Sequence, residues 1–141
     1  MSGKNQYPTQ LDWQSTNPQT GFNPTPALYG GGSIPSGVTS GVMSGTSVIY
    51  SNILEVSRMD NIGIEVSWAG TPTGTLVVLV SNSGKNWSAL TFSPAIAQPV
   101  GTSGVETINL NQLPFKYMML QYTNSSGSGT ITAYLQCKDL N

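Results

Sequence analysis

The clearest pattern in the chain is an alternation of apolar and polar residues between positions 61 and 68. The apolar members are Ile62, Ile64, Val66 and Trp68, and the polar or small ones are Asn61, Gly63, Glu65 and Ser67. A period of two places successive side chains on opposite faces of a strand. The pattern therefore predicts a half-buried β-strand in which Trp68 packs in the core with the other apolar residues.

A second apolar segment shows no alternation. Residues 75–80 read Thr-Leu-Val-Val-Leu-Val, a β-branched run that predicts a strand buried on both faces. A polar turn cluster follows at residues 81–86, and residues 87–92 are again β-prone. Two β-prone runs joined by such a cluster predict a hairpin.

Further short β-prone runs occupy the rest of the C-terminal two thirds of the chain. They lie at residues 48–50, 53–56, 105–110, 116–123 and 130–137, with a Ser/Gly-rich turn at 124–129 between the last two. Turn signals recur about every 8–12 residues, and no window has a helical stripe. The sequence therefore predicts an all-β protein, an antiparallel β-sandwich with jelly roll among its variants.

The first 46 residues have a different pattern. They contain five prolines and a Gly-Gly-Gly run at residues 30–32, and no charged residue occurs from 13 to 54. Prolines and glycines disfavour regular structure, so one interpretation is a loop or disordered segment. The other is an extended arm over 1–46 that contacts neighbouring subunits, with the β-sandwich domain at 47–141. The aromatic residues Tyr7, Trp13, Phe22 and Tyr29 are the predicted partner contacts of that arm.

Charge limits the classes of partner. Charged residues make up 8% of the chain and the net charge is −1, against roughly 25% charged residues in an average soluble domain. Five scattered cations form no basic patch, so we expect no nucleic-acid partner. The longest apolar run has five residues, far below the ~20 of a membrane span, and no membrane partner is expected. A net charge near zero also favours packing between subunits and a homo-oligomer.

Candidate chemistry is sparse. Histidine is absent, which excludes Ser-His-Asp and Cys-His catalysis, and one cysteine without histidine cannot build a zinc site. The acidic residues Glu55, Asp60, Glu65 and Glu106 are interpreted as ordinary strand or strand-end residues rather than a catalytic pair. Cys137 is interpreted as a small buried hydrophobe. We therefore expect no enzyme activity, no catalytic residue, no metal and no cofactor.

Three segments of the predicted domain carry a resemblance to known proteins. Residues 79–90 read LVSNSGKNWSAL, residues 113–123 read LPFKYMMLQYT, and residues 126–135 read SGSGTITAYL. Together they resemble small β-sandwich structural proteins of bacteriophage virions, of the decoration (cement), penton or spike kind. The resemblance covers roughly residues 50–139 and leaves the predicted arm outside it.

The resemblance implies a protein made in the host cytoplasm and located in the virion. Its expected function is to decorate or cement a phage capsid, with the major capsid protein or other virion proteins as partners. The alternative is a receptor- or glycan-binding module of a fibre, spike or vertex. That alternative predicts that Trp87 or Tyr134 is exposed beside Asn and Thr side chains.

Overall fold

The computed structural model describes residues 9–19, 38–57, 61–111 and 114–138, with only the backbone at 9, 111, 137 and 138. These residues form eleven β-strands and no helix, so among them no helix is long and apolar enough to cross a membrane. The strands are β1 (Thr9–Gln10), β2 (Trp13–Gln14), β3 (Gly41–Ser44), β4 (Val48–Ser51), β5 (Leu54–Glu55), β6 (Asn61–Gly70), β7 (Thr73–Ser81), β8 (Ser88–Ala89), β9 (Gly104–Asn111), β10 (Tyr117–Ser126) and β11 (Ser128–Lys138).

The strands build two antiparallel sheets that pack face to face. Sheet A has the order β1-β11-β6-β9, and β3 pairs with β11 beside β1. Sheet B has the order β2-β4-β10-β7-β8, and β5 pairs with β10 beyond β4. The predicted all-β antiparallel sandwich is confirmed.

The connectivity is that of a jelly roll. We count β1 with β3 as the first strand, since both pair with β11, and β4 with β5 as the second, since both pair with β10. The two-residue β2, which pairs with β4 at the edge of sheet B, is left out of this count. The order is then first, eighth, third and sixth in sheet A, and second, seventh, fourth and fifth in sheet B. Successive strands therefore alternate between the sheets except at the β7–β8 hairpin, as in double-sheet jelly rolls.

The core fills the space between the sheets. In β6 the alternation seen in the sequence becomes a burial alternation, with Ile62, Ile64, Val66 and Trp68 buried. The Trp68 indole Nε1 donates to the carbonyl of Thr102 at 3.0 Å, so its polar atom is satisfied at the core boundary. Trp68 is therefore a core residue, as predicted.

The predicted strand at residues 75–80 is buried on one face rather than two. Leu76, Val78 and Val80 lie in the core, while Val77 and Leu79 are half-buried on the outer face of sheet B. The hairpin that follows is present, because β7 pairs with β8. Its second strand is only Ser88–Ala89, and the chain beyond it runs along the edge of β7 without becoming a strand.

Parts of the predicted N-terminal arm belong to the sandwich. Residues 9–10 pair with β11 in sheet A, residues 13–14 pair with β4 in sheet B, and residues 41–44 pair with β11. Leu11, between the first two strands, is fully buried, and its N–H donates to the carbonyl of Ala133. The boundary at residue 46 therefore does not separate an arm from a domain in the described part of the chain. Burial of apolar side chains outweighs the local preference of this segment for loop.

Three connections between the sheets meet at one end of the sandwich: the turn after β3, the turn after β6 and the junction of β10 with β11 at Gly127. The side-chain amide of the buried Asn124 joins two of them. It donates to the carbonyls of Gly45 at 2.9 Å and Gly127 at 3.1 Å, and accepts from the Tyr122 hydroxyl at 2.8 Å. The third turn joins through the N–H of Thr71, which donates to the carbonyl of Ser128. The predicted turn at 124–129 thus carries the chain from one sheet into the other.

Candidate interaction surface

The outer face of sheet A is a regular surface formed by five strands. Strand register sets its side chains in rows, because directly paired residues lie on the same face. One row is Val42, Thr130 and Ala69, the next is Thr132, Ser67 and Val105, and a third is Gln10, Tyr134, Glu65 and Thr107. We call these ten residues the sheet A face.

The sheet A face is poor in charge and partly apolar. Val42 and Val105 are 61% and 60% exposed, and Tyr134 is 40% exposed. Glu65 carries the only charge among the ten. Between the two valines, the hydroxyls of Ser67 and Thr132 lie 2.8 Å apart and hydrogen-bond to each other. Such a surface offers apolar area and hydrogen-bonding groups, but little for long-range attraction.

A depression of about 340 Å³ lies on this face, between the row of Thr130 and the row of Ser67. Ser67, Thr130, Thr132 and Val105 contribute to its lining, with the edge of Trp68. Gly104 has no side chain there, and a Cβ at this position would lie 2.9 Å from the Trp68 ring. Close packing of the indole against the backbone therefore determines the shape of the depression.

Tyr134 is the exposed aromatic residue of the sheet A face. Its direct cross-strand neighbours are Gln10 on β1 and Glu65 on β6, with Thr107 beyond Glu65. An amide, a carboxylate and a hydroxyl thus surround a partly exposed ring. The exposure of Tyr134 is as the alternative function predicted, but its direct neighbours are Gln and Glu rather than the predicted Asn and Thr.

The outer face of sheet B is largely covered by the chain itself. Ile53, Tyr117 and Met119 form a second buried cluster there, with Tyr50, Leu79 and Trp87 packed around it. Gln19 lies in the segment after β2, and its side-chain Nε2 donates a hydrogen bond to the Met119 sulfur at 3.8 Å. Trp87 is half-buried and its Nε1 donates to the carbonyl of Gly84 at 3.2 Å. Trp87 therefore stabilises its own hairpin and offers less contact surface than Tyr134.

A groove of about 490 Å³ separates the sheet edges at β2 and β3. Trp13, Val38 and Ile49 contribute its apolar lining, and Ser15, Thr16 and Ser40 contribute hydroxyls. The N–H of Trp13 donates to the carbonyl of Val38 at 2.7 Å, which holds the two walls together.

The predicted partner contact at Trp13 is wrong. Its side chain is 2% exposed and lies in the main core, where it packs beside Gly41. The reason is that β2 adds to the edge of β4 and turns this indole inward. The other predicted contacts, Tyr7, Phe22 and Tyr29, lie outside the described residues, as does the Cys137 side chain.

The described carboxylates do not converge. Glu65 points outward from sheet A, Glu106 Oε2 accepts the N–H of Ala97 at 3.0 Å, and Glu55 Oε2 accepts from the Ser57 hydroxyl at 3.1 Å. Asp60 lies outside the described residues. No three His, Cys, Asp or Glu side chains in the described ranges are grouped so that they could hold a metal ion.

The sequence analysis missed Val42 and Val105 as surface residues. Val105 lies in the same alternation phase as Thr107 and Asn109, which are polar, and this phase was the available signal of exposure. Val42 has no such signal, because glycines flank its short strand.

Comparison with known proteins finds distant likeness in structure. No protein-family model and no curated protein matches the chain. Among solved structures, the chain is similar to the enzymatically active domain of tailspike protein 4 of bacteriophage CBA120, with 11% sequence identity and a TM-score of 0.46. The match covers 94% of this chain and 19% of that one, so the chain spans about a fifth of the length of that structure.

Proposed function

We propose that the chain is a non-enzymatic structural subunit of a phage virion, which decorates or cements the capsid through the sheet A face. The observation that carries the proposal is the exposure of Val42, Val105 and Tyr134 on a charge-poor sheet face. The resemblance of residues 50–139 to small virion proteins supports the phage setting. The jelly-roll connectivity occurs both in viral capsid domains and in lectins, and fold alone does not select between them.

The sheet A face would bind by apolar burial and by hydrogen bonds from Ser, Thr and Gln side chains. Full burial of one valine contributes about 1.5–3 kcal/mol, so two exposed valines and a tyrosine can supply a useful part of a contact. Many copies on a symmetric shell would add avidity to a weak single contact.

The test exploits two exposed threonines on opposite faces. Thr130 lies in the sheet A face, and Thr75 is exposed on the outer face of sheet B. The full chain and the capsid protein are expressed together, and assembled particles are separated on a density gradient. We expect Thr130→Lys to lower the amount of chain on particles at least tenfold, because a buried unpaired ammonium is costly, while Thr75→Lys stays attached. Equal attachment of both variants would refute this face as the contact.

Salt provides a second readout of the same contact. Screening acts on charges, with a Debye length of about 8 Å at physiological ionic strength and 3 Å at 1 M. A face with one carboxylate should therefore stay attached in about 1 M NaCl and be released by moderate urea, which solvates apolar and peptide groups. Release by salt alone at neutral pH would contradict the proposal.

The surroundings of Tyr134 favour a second candidate function, glycan binding at a fibre, spike or vertex. A partly exposed ring can stack on a sugar, while Gln10 and Glu65 offer hydrogen bonds to its hydroxyls. Binding on a glycan array, lost in Tyr134→Ala and kept in Tyr134→Phe, would favour this candidate. Copy number separates the two, since decoration predicts hundreds of chains per particle and a vertex or spike only a few tens.

A further inference from the structure

Strand β9 forms a long edge of sheet A that no other described strand pairs with. It has eight residues, and in the described part of the chain it pairs only with β6. The other edge strands of the two sheets, β1, β2, β3 and β8, have two to four residues. Long unpaired edges invite the addition of another strand, and most proteins blunt them with lysine, proline or a covering segment. Residues 104–111 contain neither lysine nor proline.

At the β7 edge of sheet B, by contrast, a segment of the chain itself covers the strand. The Gln98 side-chain amide donates to the carbonyl of Leu76 at 3.0 Å and accepts the Leu76 N–H, as a paired strand would. The carbonyl of Pro99 accepts from Gly74, and Leu90 donates to Val78. Residues 90–101 thus protect β7, while on the β9 side the N–H of Ala97 donates to the Glu106 carboxylate and not to a backbone carbonyl of β9.

The direction of the β9 backbone groups follows from the antiparallel ladder. The N–H and C=O of one residue point to the same side of its strand, and those of the next residue point to the other. The carbonyl of Ala133 accepts the N–H of Leu11, so it points toward the β1 edge. The groups of Thr132 and Tyr134 therefore point toward β6, where they bond to the outward-facing residues of that strand.

The backbone groups alternate in the same way on β6. The N–H and C=O groups of its outward-facing residues point to β11, so those of its buried residues point to β9 and bond to that strand. Their partners on β9 include Glu106 and Ile108. The N–H and C=O of Val105, Thr107 and Asn109 consequently point to the free edge, and all three side chains are exposed. The edge offers alternating donors and acceptors at strand spacing, which only an extended peptide backbone matches.

We propose that this edge pairs with β9 of a second copy, antiparallel about a two-fold axis at Thr107. In that register the two Thr107 residues face each other and Val105 faces Asn109 of the partner subunit. The three residues of each copy exchange six backbone hydrogen bonds. Glu106 lies opposite Ile108 of the partner subunit, so the two carboxylates are not directly opposed.

Several features favour a second copy as the occupant. The segment is self-complementary, because its exposed positions are small, uncharged and suited to cross-strand pairing. The net charge of −1 opposes association of two copies only weakly. An isologous strand pair also keeps both sheet A faces on the same side, which doubles this surface without covering it. The contact is small, so association in dilute solution is expected to be weak.

A disulfide trap tests the register directly. Residues that form a hydrogen-bonded antiparallel pair have Cα atoms about 5.5 Å apart, within the disulfide range of 4.4–6.8 Å. In the full chain under mild oxidation, Thr107→Cys should form a disulfide-linked dimer at least tenfold faster than Thr130→Cys. Thr130 is also an exposed threonine of the same face, away from this edge, and both variants retain Cys137. Peptide mapping should place the new bridge between the two introduced thiols.

Charge pairs give a second, independent measurement. The double variant Val105→Lys with Asn109→Lys sets lysine against lysine twice across the axis and should sediment as a monomer. The matched double variant Val105→Lys with Asn109→Glu sets lysine against glutamate and should dimerise, more strongly at low salt. Both variants change only exposed side chains, so both should remain folded.

The proposal is overturned if Thr107→Cys crosslinks no faster than Thr130→Cys, or if the two charge variants sediment alike. It does not rest on the proposed virion role, because two copies can pair in solution without a particle. Failure of Thr130→Lys to impair capsid attachment would refute the contact face and leave the β9 result unaffected.

Discussion

Asn124 shows how much of the fold depends on one polar side chain. It is 1% exposed, and its amide joins the turn after β3 to the junction of β10 with β11. Buried polar groups without partners cost about 1–3 kcal/mol each. An asparagine here satisfies two carbonyls and one hydroxyl at once, which neither aspartate nor leucine can do.

We predict that Asn124→Ala lowers the free energy of unfolding by about 2–4 kcal/mol, because it leaves the Tyr122 hydroxyl and two carbonyls without this partner. Urea unfolding of the variant and the wild type measures the loss. The matched control is Ser125→Ala, at an exposed neighbour whose hydroxyl donates to the carbonyl of Thr73, and it should cost less than about 1 kcal/mol. Equal losses would show that the Asn124 amide does not tie the turns together.

A second residue-scale prediction concerns alkaline pH. Burial raises the pKa of the Tyr122 phenol above its ordinary value of 10.0. Between pH 10 and the raised pKa, the unfolded chain releases the phenol proton while the folded chain keeps it. The folded state then binds more protons, so the free energy of unfolding falls as pH rises through this window. Below about pH 9 the contribution is fully present.

The variant Tyr122→Phe isolates this effect. Urea unfolding from pH 8 to pH 11 should show a steeper alkaline loss of stability for the wild type than for Tyr122→Phe. The variant is expected to be less stable at pH 8, since it leaves the Asn124 Oδ1 without the phenol donor. Parallel curves for the two proteins would contradict the assignment of the slope to Tyr122.

At the scale of elements, β3 depends on the absence of a side chain at Gly41. A Cβ there would lie 2.8 Å from Ile49 Cδ1 and 2.9 Å from Ile131 Cγ2. These atoms belong to the facing sheet and to the neighbouring strand, so neither can move away without disturbing the core. Glycine at this position allows the edge strand to close over Trp13.

We predict that Gly41→Ala costs about 1–3 kcal/mol in the free energy of unfolding through overpacking. Gly63, on β6, is the matched control, because no atom lies within 4 Å of a Cβ built there. Gly63→Ala should be neutral or stabilise the fold by about 0.5–1 kcal/mol. Thermal and urea unfolding of both variants checks the contrast, and equal effects would contradict it.

At the scale of the whole molecule, the N-terminal segment is part of the folding unit. Residues 2–46 include Leu11, Trp13 and Met43, all of them in the main core. Burying each contributes about 1.5–3 kcal/mol. Their sum is comparable with the roughly 5–15 kcal/mol that stabilises a whole domain.

We therefore predict that deletion of residues 2–46 prevents cooperative folding of residues 47–141. Circular dichroism and urea unfolding of the truncated chain should show no two-state transition, whereas Leu11→Ala alone should fold with a loss of about 2–5 kcal/mol. A truncated chain with wild-type stability would show that the sandwich is complete without its first strands.

The elements that the sequence predicted well are those whose pattern is local. The alternation at 62–68 and the β-prone run at 105–110 both became strands of sheet A, because side-chain period follows from backbone geometry alone. The absence of histidine is a matter of composition alone. The exposed position of Tyr134 agrees with its phase in β11, where buried Ala133 and Leu135 flank it.

Tertiary contacts decided the rest. The short segments around Leu11 and Met43 have no strand pattern of their own, and they are ordered by pairing with β11 and by the core they close. Trp13 faces the interior because β2 pairs with β4. The residues next to Trp13 in the sequence do not indicate that pairing, since β4 lies more than 30 residues further along the chain. The same holds for β9. Its residues predict a strand, while only the arrangement of the two sheets shows that one edge of this strand stays unpaired in the described part of the chain.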